Sequence, residues 1–145
     1  VANLRFAADA ARPHGIEVLI EPINRVDVPG YFLDGTEKAL AVLAEVERPN
    51  LKLQYDVYHA HVSGEDPAAV LGAHLAHVAH VQVSGFPGRH EPWPGAIDFA
   101  SVFRLLDDLG YAGWVGMEYW PAAATLDGLG WIGAYGLSLE PARGE

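Results

Sequence analysis

Two hydrophobic periods alternate along the chain. Short apolar runs occupy residues 16–20, 51–55, 77–81 and 114–117. Between them, apolar residues recur every three or four positions: Leu4, Ala7, Ala8 and Ala11 at the start, then Ala39, Leu40, Val42, Leu43 and Val46. The same spacing returns in Val70, Leu71 and Leu75, and again in Phe99, Val102, Phe103, Leu105, Leu106 and Leu109. Short runs predict strands and the longer period predicts helices. The punctuation agrees. Pro13-His14-Gly15 stops the first helix, with Gly15 suited to a left-handed cap. Pro22 ends the first strand because it has no N–H to donate. Asp34 or Thr36 is expected to cap the second helix and Pro49-Asn50 to end it; Asp66-Pro67 opens the third, Asp98 the fourth, and Gly110 closes that one. Residues 122–135 read as weakly helical, diluted by Gly128, Gly130 and Gly133.

The order is therefore one helix and then four strand–helix units. Such alternation predicts right-handed crossovers and a parallel sheet, an α/β fold. The near-continuously apolar strands are expected to be buried on both faces. Each strand runs into a side chain with an oxygen to offer: Glu21, Asp56, Gln82 and Glu118, spaced 35, 26 and 36 residues apart. Ligands in parallel α/β sheets bind beyond the carboxyl ends of the strands, which is where all four lie. Taken singly, Glu21 and Asp56 are ordinary strand-end acids. Their recurrence at every strand end is the stronger signal.

Composition narrows the function. At 145 residues, half of them hydrophobic, the chain is one domain's worth with material for a core. A net charge of −10 argues against a nucleic-acid or anionic-membrane surface. The absence of Cys excludes disulfides and thiolate metal sites. No apolar run is long enough for a spanning helix, and a cytoplasmic location is the expectation. The chain opens on Val1 rather than Met, in what reads as mid-helix, so a fragment of a longer protein is expected.

Three carboxylates meeting at one mouth would repel one another unless a cation joined them. Glu21, Asp56, Glu118 and the Gln82 amide oxygen form a hard, all-oxygen set, suited to Mg²⁺ or Mn²⁺ rather than Zn²⁺. Two carboxylates with such an ion can move a proton between adjacent carbons of a hydroxy-carbonyl compound through an enediolate. Glu21 and Glu118 are the expected acid/base pair. Arg89, in the Pro-Gly-rich loop after the third strand, suits a carboxylate.

Several stretches resemble the hydroxypyruvate isomerase family: residues 20–24 (Ile-Glu-Pro-Ile-Asn), 27–33, 53–59 (Leu-Gln-Tyr-Asp-Val-Tyr-His), 80–82, 87–92, 114–119 and 128–131. That family belongs to the xylose-isomerase-like TIM barrels. The resemblance implies interconversion of hydroxypyruvate and 2-hydroxy-3-oxopropanoate, a step of glyoxylate metabolism. It implies Glu21 and Glu118 as catalytic residues, Glu21, Asp56, Gln82 and Glu118 as the metal cluster, and Asp27, His59 and Arg89 as substrate contacts. Ala96 stands where the family has Glu, and Gln82 where many relatives have His. The match covers only the carboxyl-terminal half of the barrel, the strands equivalent to five to eight. Residues 1–145 are thus expected to form a single half-barrel domain, completed by a missing amino-terminal half or by a second copy. The expected partner is a small hydroxy-keto acid, with neither nucleic acid nor membrane. A non-catalytic half-barrel and a ketose 3-epimerase are the alternatives.

Overall fold

The structure is a computed structural model, and it describes residues 1–138. Helix α1 (Ala2–Ala11) continues into a 3-10 turn at Arg12–His14, which Gly15 terminates in the left-handed region at φ 66°. Strand β1 (Val18–Ile20) follows, then α2 (Thr36–Val46), β2 (Leu51–Asp56), α3 (Val57–Val62), α4 (Pro67–His74) and β3 (Val78–Val83). A long loop leads to α5 (Phe99–Asp108), β4 (Trp114–Met117) and two short helices, α6 (Thr125–Gly128) and α7 (Trp131–Ala134). The four strands are parallel and lie in chain order β1-β2-β3-β4. This is a parallel α/β sheet, as the alternation predicts, compatible with the half of a TIM-barrel-like fold that the resemblance implies.

Alternation along the strands sends one set of side chains toward the helices. Leu51, Leu53 and Tyr55 of β2 and Val81 and Val83 of β3 are buried there with Val46, Leu71, Phe99, Val102 and Leu106 from the helices. Polar contacts tie α1 to this layer: Asn50 Nδ2 donates to the Ala8 carbonyl at 2.8 Å, and Arg5 Nε to the Val46 carbonyl at 3.2 Å.

The opposite face corrects the expectation of strands buried on both sides. It presents Leu19, Lys52, Gln54, His80 and Gln82, all partly or fully accessible, and Trp114 at 83% exposure. The apolar runs contain enough polar residues at alternate positions to make one face wet. Gly116 lets the sheet close around His80, whose Nε2 would lie 2.7 Å from any Cβ placed there.

Three local expectations also change. Neither Asp34 nor Thr36 caps α2: its N-cap is Gly35, Asp34 pairs with Arg25 and Lys38, and Thr36 gives its N–H and hydroxyl to Glu65 at 2.9 and 2.6 Å. Helix α2 stops before Pro49-Asn50, at Glu47, which turns left-handed at φ 53°. Leu109, expected in the core, is 39% exposed because α5 has ended and Gly110 is already turning the chain (φ 69°).

Candidate active site at the strand ends

Asp56 ends β2 and begins α3 without an intervening loop. One carboxylate oxygen accepts the Tyr58 N–H at 2.8 Å, which caps the helix. The other faces Arg89 Nη2 at 3.2 Å and His59 Nε2 at 3.7 Å. The residue is only 2% exposed. Burial pushes its pKa up to about 6, opposed by the Tyr58 N–H and the Arg89 charge.

Glu21 follows β1 and is half-buried. Burial, together with the charges of Asp56 and Glu118, raises its pKa to about 7; a hydrogen bond from Gln54 and the Arg89 charge pull the other way. Gln54 also donates to Gln82 Oε1 at 2.7 Å, so one amide on β2 links the ends of β1 and β3. Glu118, just past β4, is exposed and accepts from Arg89 Nη2 at 2.7 Å.

Arg89 therefore bridges two carboxylates from different strand ends. It reaches them from a loop bent by φ 91° at Gly88 and φ 55° at Arg89 itself, and its guanidinium lies 5.1 Å from the Tyr58 ring centroid. The loop is anchored on both sides of the arginine. Trp120 N–H donates to the Arg89 carbonyl at 2.9 Å, and both Glu91 oxygens accept the Ala122 N–H at 3.2 Å. Glu91 is buried so tightly that a Cβ at Gly85 would overlap its carbonyl and one at Gly128 would overlap its carboxylate.

His59 is buried on α3, one turn beyond Asp56. Its Nδ1 lies 2.6 Å from Asn24 Nδ2, and burial, then the Arg89 charge, lowers its pKa to about 4. Asp27 is exposed and accepts from Asn24 at 2.9 Å. The seven residues singled out in the sequence thus occupy one connected neighbourhood. Glu21, Asp56 and His59 offer ligand atoms within 4.8 Å of one another. Gln82 joins through Gln54, and Glu118 through Arg89. A cleft of about 80 Å³ opens beside them, lined by Arg89, Glu118, Tyr119 and Trp120.

Sequence reasoning missed Asn24, Gln54 and Glu91. The Asn24-x-x-Asp27 spacing, a turn in which an amide oxygen meets backbone N–H groups, was a usable signal for the first. Nothing local marks Gln54, an amide in an alternating strand.

The xylose isomerase-like TIM barrel family model matches residues 1–135. A 2-oxo-tetronate isomerase from Cupriavidus necator is 47% identical over 133 residues, 92% of this chain and 51% of that protein. Hydroxypyruvate isomerase of Escherichia coli is 38% identical over 135 residues, 93% of this chain and 52% of that protein. Among solved structures, an AP endonuclease family 2 protein from Brucella melitensis has a TM-score of 0.88 at 40% identity, covering 92% of this chain and 52% of that one. A 3-keto-D-glucoside 4-epimerase from E. coli shares the fold at a TM-score of 0.80 and 24% identity, over 90% of this chain and 51% of its own. The chain spans about half the length of the curated relatives it matches. With the parallel sheet and the acid-lined strand ends, these matches show that the chain belongs to the xylose isomerase-like TIM barrel family.

Proposed function

We propose that these residues form the carboxyl-terminal half of an isomerase site for a small 2-oxo acid with a hydroxyl on the neighbouring carbon, hydroxypyruvate first among them. The observation that carries the reading is the electrostatic coupling of Glu21 to Asp56 and Glu118, with Arg89 bridging the last two, at the carboxyl ends of β1, β2 and β4. Hydroxypyruvate and 2-oxo-tetronate, the compounds in the names of the two isomerase relatives, both carry a carboxylate beside a ketone.

Glu21, with a pKa near 7, is suited to take or give a proton at neutral pH. It and Glu118 serve as the two proton-transfer groups. One removes a proton from C3 of hydroxypyruvate, leaving an enediolate; the other returns a proton to C2. The hydroxyl hydrogen passes from the C3 oxygen to the C2 oxygen, so no external oxidant is needed. Arg89 holds Asp56 and Glu118 in place and offers its guanidinium to the substrate carboxylate, with Asp27 and His59 on the same rim. Trp120 and Tyr119 line the cleft beside them.

The donor set fits a hard divalent cation. Glu21 and Asp56 are both raised toward neutrality, first by burial and then by neighbouring carboxylates (Asp56 and Glu118 beside Glu21, Glu118 beside Asp56), and a cation would offset both costs. Glu21, Asp56, Gln82 and Glu118 would hold Mg²⁺ or Mn²⁺, whose chemistry is to polarise the substrate carbonyl. The exposed inner face and the open edges of β1 and β4 favour a half-barrel completed by four further strand–helix units, from the same polypeptide or a second copy.

The test is turnover of hydroxypyruvate in D₂O with Mg²⁺, followed by NMR. Glu21→Gln and Glu118→Gln are each expected to cost ~10²–10⁴-fold in kcat while binding persists. Full turnover by either variant would overturn the assignment.

A further inference from the structure

Asn24 is 1% exposed and takes no part in the reaction just described. Its orientation is nonetheless fixed by four hydrogen bonds. The side-chain oxygen accepts the backbone N–H of Val26 at 3.0 Å and of Asp27 at 2.8 Å, a place only an acceptor can occupy. The amide nitrogen is thereby turned the other way. It donates one hydrogen to Asp27 Oδ2 at 2.9 Å and points the second at His59 Nδ1, 2.6 Å distant.

An amide NH₂ has two hydrogens to give and no lone pair to accept with. His59 Nδ1 must therefore be the acceptor. A neutral imidazole with a bare Nδ1 carries its proton on Nε2. That nitrogen faces the Asp56 carboxylate at 3.7 Å. A metal ion binds a ring nitrogen through its lone pair, which a protonated Nε2 lacks.

We propose that Asn24 is a positioning residue that locks His59 in its Nε2–H tautomer, making the ring a hydrogen-bond donor to the site and barring it from ligating a cation. Of the group Glu21, Asp56 and His59, only the two carboxylates then serve as cation ligands. The tautomer stands on hydrogen bonding alone; its use as a donor to a substrate oxygen rests on the isomerase reading.

The experiment is ¹⁵N-histidine NMR of the 145-residue chain, with the His59 signals assigned by their loss in His59→Gln. Expected in the wild type are an unprotonated, downfield Nδ1 and a protonated, upfield Nε2, with neither nitrogen displaced to a ligated position by saturating Mg²⁺ or by Zn²⁺. In Asn24→Asp a carboxylate acceptor replaces the NH₂ donor, and Nδ1 is expected to gain a proton and move upfield. Circular dichroism reports whether that variant is folded. A wild-type His59 with its proton on Nδ1, or with Nε2 bound to either cation, would overturn the proposal without reference to any variant. So would a folded Asn24→Asp in which Nδ1 stays bare. Loss of the isomerase reading leaves these spectra unchanged, so the two failures are distinguishable.

Discussion

The two faces of the sheet are built for different ends. On the helix side, Leu53, Tyr55, Val81 and Val83 are sealed under α2, α4 and α5, and their packing stabilises the fold. On the other side, Lys52, Gln54, His80 and Gln82 lead up to four oxygen-bearing strand ends that crowd negative charge together. One sheet thus separates stability from chemistry by a period of two. A substitution should act according to the face it lies on, and three measurements put that to the test.

The largest effect belongs to the covered face. Leu53→Ala, at a fully buried position, should cost ~2–5 kcal/mol by chemical denaturation, through lost transfer energy and a residual cavity. A loss under ~1 kcal/mol would mean that the helix layer is not the stabilising one.

The next belongs to the strand ends and has the opposite sign. Glu21 and Asp56 have folded pKa values of about 7 and about 6, above the ordinary 4.5 and 3.8. At these two sites the folded state therefore binds more protons than the unfolded one between those limits, so their contribution to stability falls as pH rises through that window, against the smaller opposite contribution of the single His59, lowered from 6.5 to about 4. The thermal midpoint should be higher at pH 5 than at pH 7, and Glu21→Gln should raise the midpoint at pH 7 by a few degrees even as it lowers the proposed turnover. A midpoint at pH 7 left unchanged by Glu21→Gln would show that this acid is not strained by its burial.

The smallest effect is expected on the open face. Trp114→Ser, at an 83% exposed residue on an edge strand, should change the stability of this chain alone by no more than ~0.5 kcal/mol. Mixed with a polypeptide supplying the other half of the barrel, the same variant should weaken association measurably by sedimentation. A large change in the isolated chain would mean that Trp114 already packs on something.

The helix side was the legible one. Its periodicity placed every strand and the helices α1, α2, α4 and α5, and Asp66 and Asp98 cap as their positions suggest, accepting the N–H groups of Ala68 and Ser101. Helix α3 was not legible, because Asp56 ends the strand and caps the helix in the same residue and leaves no turn signal between them. The strand-end residues could be named from their spacing, but their coupling could not. Arg89 reaches Asp56 and Glu118 across about thirty positions through a loop whose shape depends on Glu91 meeting Ala122. Thr36 answers to Glu65, 29 residues away. Contacts of that range leave no local pattern.

Asp56 serves both faces at once: one oxygen starts α3 and the other meets Arg89. A descendant that had lost all turnover would still need an acceptor at this position to begin the helix. Retention of Asp56 across a lineage would therefore say little about whether its members are working enzymes. Glu118, reaching out from an exposed strand end, is under no comparable architectural obligation, and its persistence or decay would be the more telling record of activity.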